Sequence, residues 1–244
     1  MSDSLTPTYP SVRWGREHWQ VCSIWSNPIR DRVDATHPNG QNPVFLYRHG
    51  GGGVGYDHIS AWDTPWNPYY YFRYLLEHYA SMPGNRHWDI VSIETAQAWF
   101  TGNAGIERTR CVYMPEAIID VKLCVSALKG MSRQFGWDPS LFTSGGTSHG
   151  ATLMMNAQLT PPIVGGAGGQ TTYLKRLYER DGFDSRVRGV LNDMGQIDCR
   201  NIGGVDQLAF QFLQAWMGTR TDVSTEWDAL DPAIKASISP LADI

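Results

Sequence analysis

The sequence predicts a single α/β domain, with a mostly parallel sheet and helices on both of its faces. Three observations lead there. Short apolar runs recur along the chain, each halted by glycine, proline or a polar cluster: PVFLYRHG at 43–50, HWDIVSIETA at 87–96 and VRGVLND at 187–193. Runs of that length without a polar face suit strands buried on both sides. Helical segments alternate with them, as crossovers between parallel strands require. Finally, 244 residues with 42% hydrophobic and 18% charged side chains fit one globular domain, 1–244, large enough to bury a core without staples.

Residues 18–25, HWQVCSIW, read as an early strand, and the polar, turn-rich segment 27–43 as a surface connection. The run at 43–50 ends in glycines and reads as a buried parallel strand. Residues 56–87 form an aromatic-rich insertion in which Tyr71, Tyr74, Leu75 and His78 would share one helix face. After the strand at 87–96 comes a helix over 114–135. Pro115 suits its first turn, and Ile118, Val121, Val125, Leu128 and Met131 recur three or four apart. Another strand begins with Leu141 to Ser144, and a helix over Ala151 to Leu159 is stopped by Pro161 and Pro162. The glycine-rich stretch 163–172 reads as a loop, 172–180 as a short helix, 187–193 as a strand and 205–218 as an amphipathic helix capped by Gly218.

Composition excludes several function classes. A net charge of −4 gives no basic footprint for nucleic acid or anionic lipid. No apolar run reaches the roughly 20 residues of a membrane span. The start, MSDSLTPTYP, lacks the basic and apolar regions of a signal peptide. Cys22, Cys111, Cys124 and Cys199 are far apart with no CxxC, which predicts free thiols in a reducing, cytoplasmic setting and no metal site. No phosphate-binding or dinucleotide fingerprint is present, so no cofactor is expected.

Two glycine-rich turns carry the chemistry. His49-Gly50-Gly51-Gly52-Gly53 follows the strand at 43–50 directly. Glycines there let backbone N–H groups converge on one point, as an oxyanion site requires. Gly146-Thr147-Ser148-His149-Gly150 matches G-x-S-x-G, at a strand end and a helix start. A sharp strand-to-helix turn presents the serine hydroxyl and leaves no room for larger neighbours. The helix N-terminus adds partial positive charge beneath a developing anion.

With these residues the sequence resembles the α/β-hydrolase superfamily, and is most similar to the carboxylesterase branch related to hormone-sensitive lipase. PVFLYRHGGGG resembles the family's strand and HGGG turn, PEAIIDVKLCVSAL the helix before the nucleophile strand, DPSLFTSGGTSHGA the strand and elbow, and ISPLADI the S-P-L segment. The resemblance implies a three-layer α/β-hydrolase fold and a serine hydrolase of carboxylic esters working through an acyl-enzyme. Ser148 would be the nucleophile, and the N–H groups of Gly51, Gly52 and His149 would form the oxyanion hole. His149 then contributes its backbone rather than its ring. The substrate would be a small-molecule ester. Trp62 and Trp66 of the insertion could wall its pocket, and 160–186 and 199–235 are candidate cap or pocket segments.

Two departures set further expectations. His49 and Ser148 are 99 residues apart, longer than the family pattern, with the extra length in 56–87. The chain also stops at Ile244, before the strands that carry the family's acid and base. Asp193, at the end of the strand at 187–193, and Asp198 beyond it are candidate acids, and His58 is a candidate base. Without an assembled triad the isolated chain is expected to turn over weakly or not at all. A sheet lacking its last two strands leaves an exposed edge, which predicts a homodimer or another partner covering it. Alternatives are a non-catalytic ligand-binding module on the same fold, or one part of a split esterase.

Overall fold

The structure, a computed structural model, describes residues 7–27, 42–50, 76, 87–98, 111–112, 114–159 and 183–193. Its strands are β1 Tyr9–Arg13, β2 Val21–Trp25, β3 Asn42–Arg48, β4 Asp89–Ile93, β5 Gln97–Ala98, β6 Cys111–Val112, β7 Trp137–Thr147 and β8 Val190–Asp193. Three helices are described: α1 Met114–Gly130, α2 Ser132–Phe135 and α3 His149–Leu159. Six strands form one sheet in the order β1-β2-β4-β3-β7-β8, and β5 pairs with β6 apart from it.

From β4 through β8 the sheet is parallel, whereas β1–β2 and β2–β4 are antiparallel. The sheet is therefore mixed, with its parallel half holding every strand the apolar runs predicted except β2. Every residue of β3 is buried. Val44 and Leu46 join Ile24, Val91 and Ile93 in a core packed by Val121, Val125 and Leu128 of α1 and by Leu153 and Met154 of α3. Phe45 and Tyr47, on the other face, cluster with Trp25 and Ile90, against which Leu76 and Trp88 pack. Both faces are covered at the centre, which is why these strands read as continuous apolar runs rather than as alternating ones.

The 114–135 helix is two helices. Ile118, Val121, Val125 and Leu128 are buried as their spacing predicted, but α1 ends at Gly130. A single turn, α2, follows Met131 and stops at Gly136, whose φ of 71° is left-handed. Strand β7 starts earlier than the LFTS run suggested. Its register against β3 slips between Asn42↔Trp137 and Val44↔Phe142. Residues 138–141 fill the slip, with Asp138 Oδ1 accepting from Ser140 N at 2.9 Å and Ser140 Oγ at 2.7 Å. The Asp-Pro-Ser turn made this stretch look like loop. Strand β1 was missed because four of its five residues are exposed, so it carries no apolar signal.

At the N-terminal ends of the strands, one buried carboxylate ties three of them together. Asp89 Oδ2 accepts from Trp137 Nε1 at 2.7 Å, while Oδ1 accepts from Asn27 N at 2.9 Å and Asn42 Nδ2 at 3.3 Å. Cys22 and Cys124 are buried free thiols, and burial pushes both pKa values up. No helix among the described residues is long and apolar enough to cross a membrane. The insertion 56–87 apart from Leu76 and His87, and the segments 160–182 and 199–235, lie outside the described residues.

Candidate active site

The C-terminal ends of β3, β4, β7 and β8 meet at one end of the sheet, where a parallel α/β fold builds its sites. There β7 hands over to α3 through Ser148 alone. Its φ is 53°, and it is the one non-glycine residue in the left-handed region among the described residues. That conformation costs an L-residue about 1–2 kcal/mol and persists only where the surroundings impose it.

The surroundings here are backbone. A Cβ on Gly146 would lie 2.6 Å from the Arg48 carbonyl oxygen and 2.7 Å from Ala151 N. A Cβ on Gly150 would run into the carbonyls of Arg48 and His49. The end of β3 thus presses into the elbow on both sides of Ser148, and only glycine fits at either position. Thr152 N and Oγ1 donate to the Ser148 carbonyl at 3.0 and 3.2 Å, so Ser148 sits at the N-cap of α3. The first-turn N–H groups of a helix lie outside its internal ladder, and that of His149 is the first of them.

The beginning of the glycine-rich turn lies against this elbow. A Cβ on Gly50 would stand 2.9 Å from Thr147 O and 3.3 Å from Ser148 Cβ. Gly51 and Gly52 lie outside the described residues, as do Asp198 and His58. Asp193 ends β8, where its Cα is in register with Thr147. The parallel pairing thereby brings the backbone of a candidate acid beside the residue that precedes Ser148.

Behind the turn is a buried cluster of charged groups. Glu94 follows β4 and receives two partners: Arg48 Nη2 at 3.0 Å on Oε1 and His49 Nε2 at 3.1 Å on Oε2. All three side chains are at most 2% exposed. Arg48 Nε also donates to Thr95 Oγ1 at 3.1 Å, and His49 Nδ1 lies 3.0 Å from Gly50 O. Burial and then Arg48 lower the His49 pKa, against the opposing pull of Glu94 and Gly50. Burial, then Arg48 and His49, hold the His149 ring well below its ordinary value. Asp120 of α1 completes the group. It accepts from Gln20 Nε2 and Ala96 N, both at 2.6 Å. Burial pushes its carboxyl up to about 6, with those two hydrogen bonds and Arg48 opposing.

Glu94, Arg48 and Asp120 were not singled out in the sequence. A signal existed for the first two. Each is a charged residue at the C-terminal end of an apolar run, and β3 and β4 pair in parallel so that Arg48 is opposite Ile93. Two opposite charges ending buried strands meet only if those strands are neighbours, and here the parallel pairing of β3 with β4 makes them so. No group of His, Cys, Asp and Glu suited to a metal ion occurs among the described residues.

Solved structures share this architecture. The chain has the fold of known esterases. It superposes on a bifunctional GH43-CE protein of Bacteroides eggerthii with a TM-score of 0.66 at 18% identity, over 97% of this chain and 29% of that one. A truncated carbohydrate esterase from gut microbiota matches with a TM-score of 0.62 at 14% identity, over 100% of this chain and 74% of that one. Inhibited esterase B from Lactobacillus rhamnosis matches with a TM-score of 0.60 at 15% identity, over 98% and 63%. The chain thus spans less than a third of the first and less than two thirds of the third. No protein-family model and no curated protein matches it.

Proposed function

We propose that the chain is a serine hydrolase of carboxylic esters on a three-layer α/β-hydrolase fold of the carboxylesterase branch. One observation carries the reading: Ser148 holds a left-handed conformation between β7 and α3, wedged by two glycines that nothing larger could replace. A serine is not put there for packing, since a glycine would meet the backbone demand without strain. Esterase folds among the solved structures support the same reading.

In the proposed reaction Ser148 Oγ attacks the ester carbonyl carbon and its proton passes to a general base. The carbonyl oxygen becomes an anion facing the N–H groups of Gly51, Gly52 and His149, near the positive end of α3. Collapse breaks the bond to the alcohol, which leaves with that proton. Water then attacks the acyl-enzyme, releasing the acid and restoring Ser148. Neither His49 nor His149 suits the base. Both ring nitrogens of His49 face Glu94 and Gly50, and the His149 ring is buried at 1% exposure. His58 is the candidate base, and Asp193 and Asp198 are the candidate acids.

A fluorophosphonate probe, with Ser148→Ala as control, tests the nucleophile. Labelling of the wild-type chain that disappears in Ser148→Ala is expected. Equal labelling of both would remove Ser148 from the reaction.

A further inference from the structure

We propose that Glu94 is a positioning residue for the oxyanion turn, acting through Arg48 and His49 at once. This rests on the serine-hydrolase reading of Ser148. Arg48 and His49 are the last residues before the glycine turn. The Arg48 side chain is bound to Glu94 Oε1, and its own carbonyl is the surface against which Gly146 and Gly150 close. The His49 ring is bound to Glu94 Oε2, and its Nδ1 sits 3.0 Å from the carbonyl of Gly50. One carboxylate therefore fixes two consecutive residues whose backbones touch the nucleophile elbow on one side and lead into the oxyanion turn on the other.

The chemistry suits a rigid clamp. A carboxylate offers two acceptor oxygens, and each takes one cationic or N–H donor. All three side chains are out of water, so a broken contact would leave a charged group buried without its counterpart, and the arrangement has few low-energy alternatives. An oxyanion hole needs that stiffness, because its donors must already stand where the charge will develop. Asp120 lies outside the clamp, held by Gln20 and Ala96.

Glu94→Gln tests this without changing size. Gln presents one acceptor and one donor, so either Arg48 or His49 faces an N–H₂ group. Glu94→Asp keeps two acceptors on a shorter arm. The readout is the kinetics of fluorophosphonate labelling by the full chain, split into the maximal rate and the half-saturating probe concentration, with melting temperatures measured alongside. The maximal rate of Glu94→Gln should fall about ten- to hundredfold with half-saturation unchanged within about threefold, and Glu94→Asp should lie between it and the wild type. A Glu94→Gln maximal rate within about threefold of wild type overturns the proposal, and so does a loss that tracks the folded fraction in both variants. In parallel, Ser148→Ala separates the two ideas. If it abolishes labelling while Glu94→Gln does not slow it, the clamp falls and the nucleophile stands. If Ser148→Ala labels like wild type, the hydrolase reading falls and takes the clamp with it.

Discussion

The carbonyl oxygen of Arg48 stands 2.6 Å from where a Cβ on Gly146 would be. The same oxygen blocks a Cβ on Gly150, so the end of β3 packs into the β7–α3 turn with no space between backbones. Gly146→Ala and Gly150→Ala must each push backbone away from backbone. Overpacking a filled site costs about 1–3 kcal/mol, and backbone yields less readily than a side chain. Each variant should lose about 2–3 kcal/mol in urea titrations, with Gly150→Ala the worse because it meets two carbonyls. A loss below about 0.5 kcal/mol at both positions would mean the turn is looser than this packing.

Ser148 makes the opposite prediction. Its φ of 53° strains a residue with a Cβ, and glycine relieves that strain at the expense of a more flexible unfolded chain. Ser148→Gly should raise stability by about 1 kcal/mol while abolishing probe labelling. Ser148→Ala should abolish labelling without the gain. The comparison is between two nucleophile-free variants, so a stability difference reports the backbone strain less the entropy that glycine adds to the unfolded chain.

The parts of the fold legible in sequence are those where burial on both faces leaves a continuous apolar run, as in β3 and β4. The elbow was legible because its glycines answer a steric demand that few other sequences meet. Strand β1 was not, since YPSVR borrows its pairing from β2 and buries almost nothing. The start of β7 was hidden by a proline inside the register slip. The Glu94 clamp was only half legible, for another reason. It joins residues 46 apart that meet only because β3 and β4 pair in parallel, and a single charged residue at a strand end carries no mark of its partner.

Asp120 gives stability a pH dependence of definite sign. Its carboxyl is pushed from 3.8 up to about 6 in the native state, chiefly by burial. Between those values the folded protein holds a proton that the unfolded chain has released. Its contribution therefore favours folding most at low pH, declines as pH rises from about 4 to about 6, and is level above that. The full swing is about 3 kcal/mol. In Asp120→Asn the side-chain oxygen can still accept from Ala96, and Gln20 can turn its own oxygen toward the new amide. Subtracting the variant's unfolding free energy from the wild type's at each pH isolates this group. The difference should fall by about 2–3 kcal/mol between pH 4 and pH 7. A flat difference would mean that Asp120 ionises as an ordinary carboxylate, and a rising one that its native pKa lies below its unfolded value.

At the other end of the sheet, Asp89 and Trp137 should be energetically coupled. Asp89 Oδ2 accepts from the indole N–H at 2.7 Å while Oδ1 holds Asn27 and Asn42. Asp89→Asn can keep its oxygen toward the latter pair only by turning N–H₂ against the indole N–H. Two buried donors then face each other, at about 1–3 kcal/mol for each group left unsatisfied. Trp137→Phe removes the opposing donor but also shrinks a side chain that is fully buried and stacked on Phe135 at 4.7 Å between ring centres. Each single variant should destabilise by about 2–4 kcal/mol. The double variant should lose at least about 1 kcal/mol less than their sum, because the donor–donor conflict disappears once the indole is gone. Strict additivity in a chemical-denaturation cycle would show that the hydrogen bond contributes nothing to joining β4 with β7.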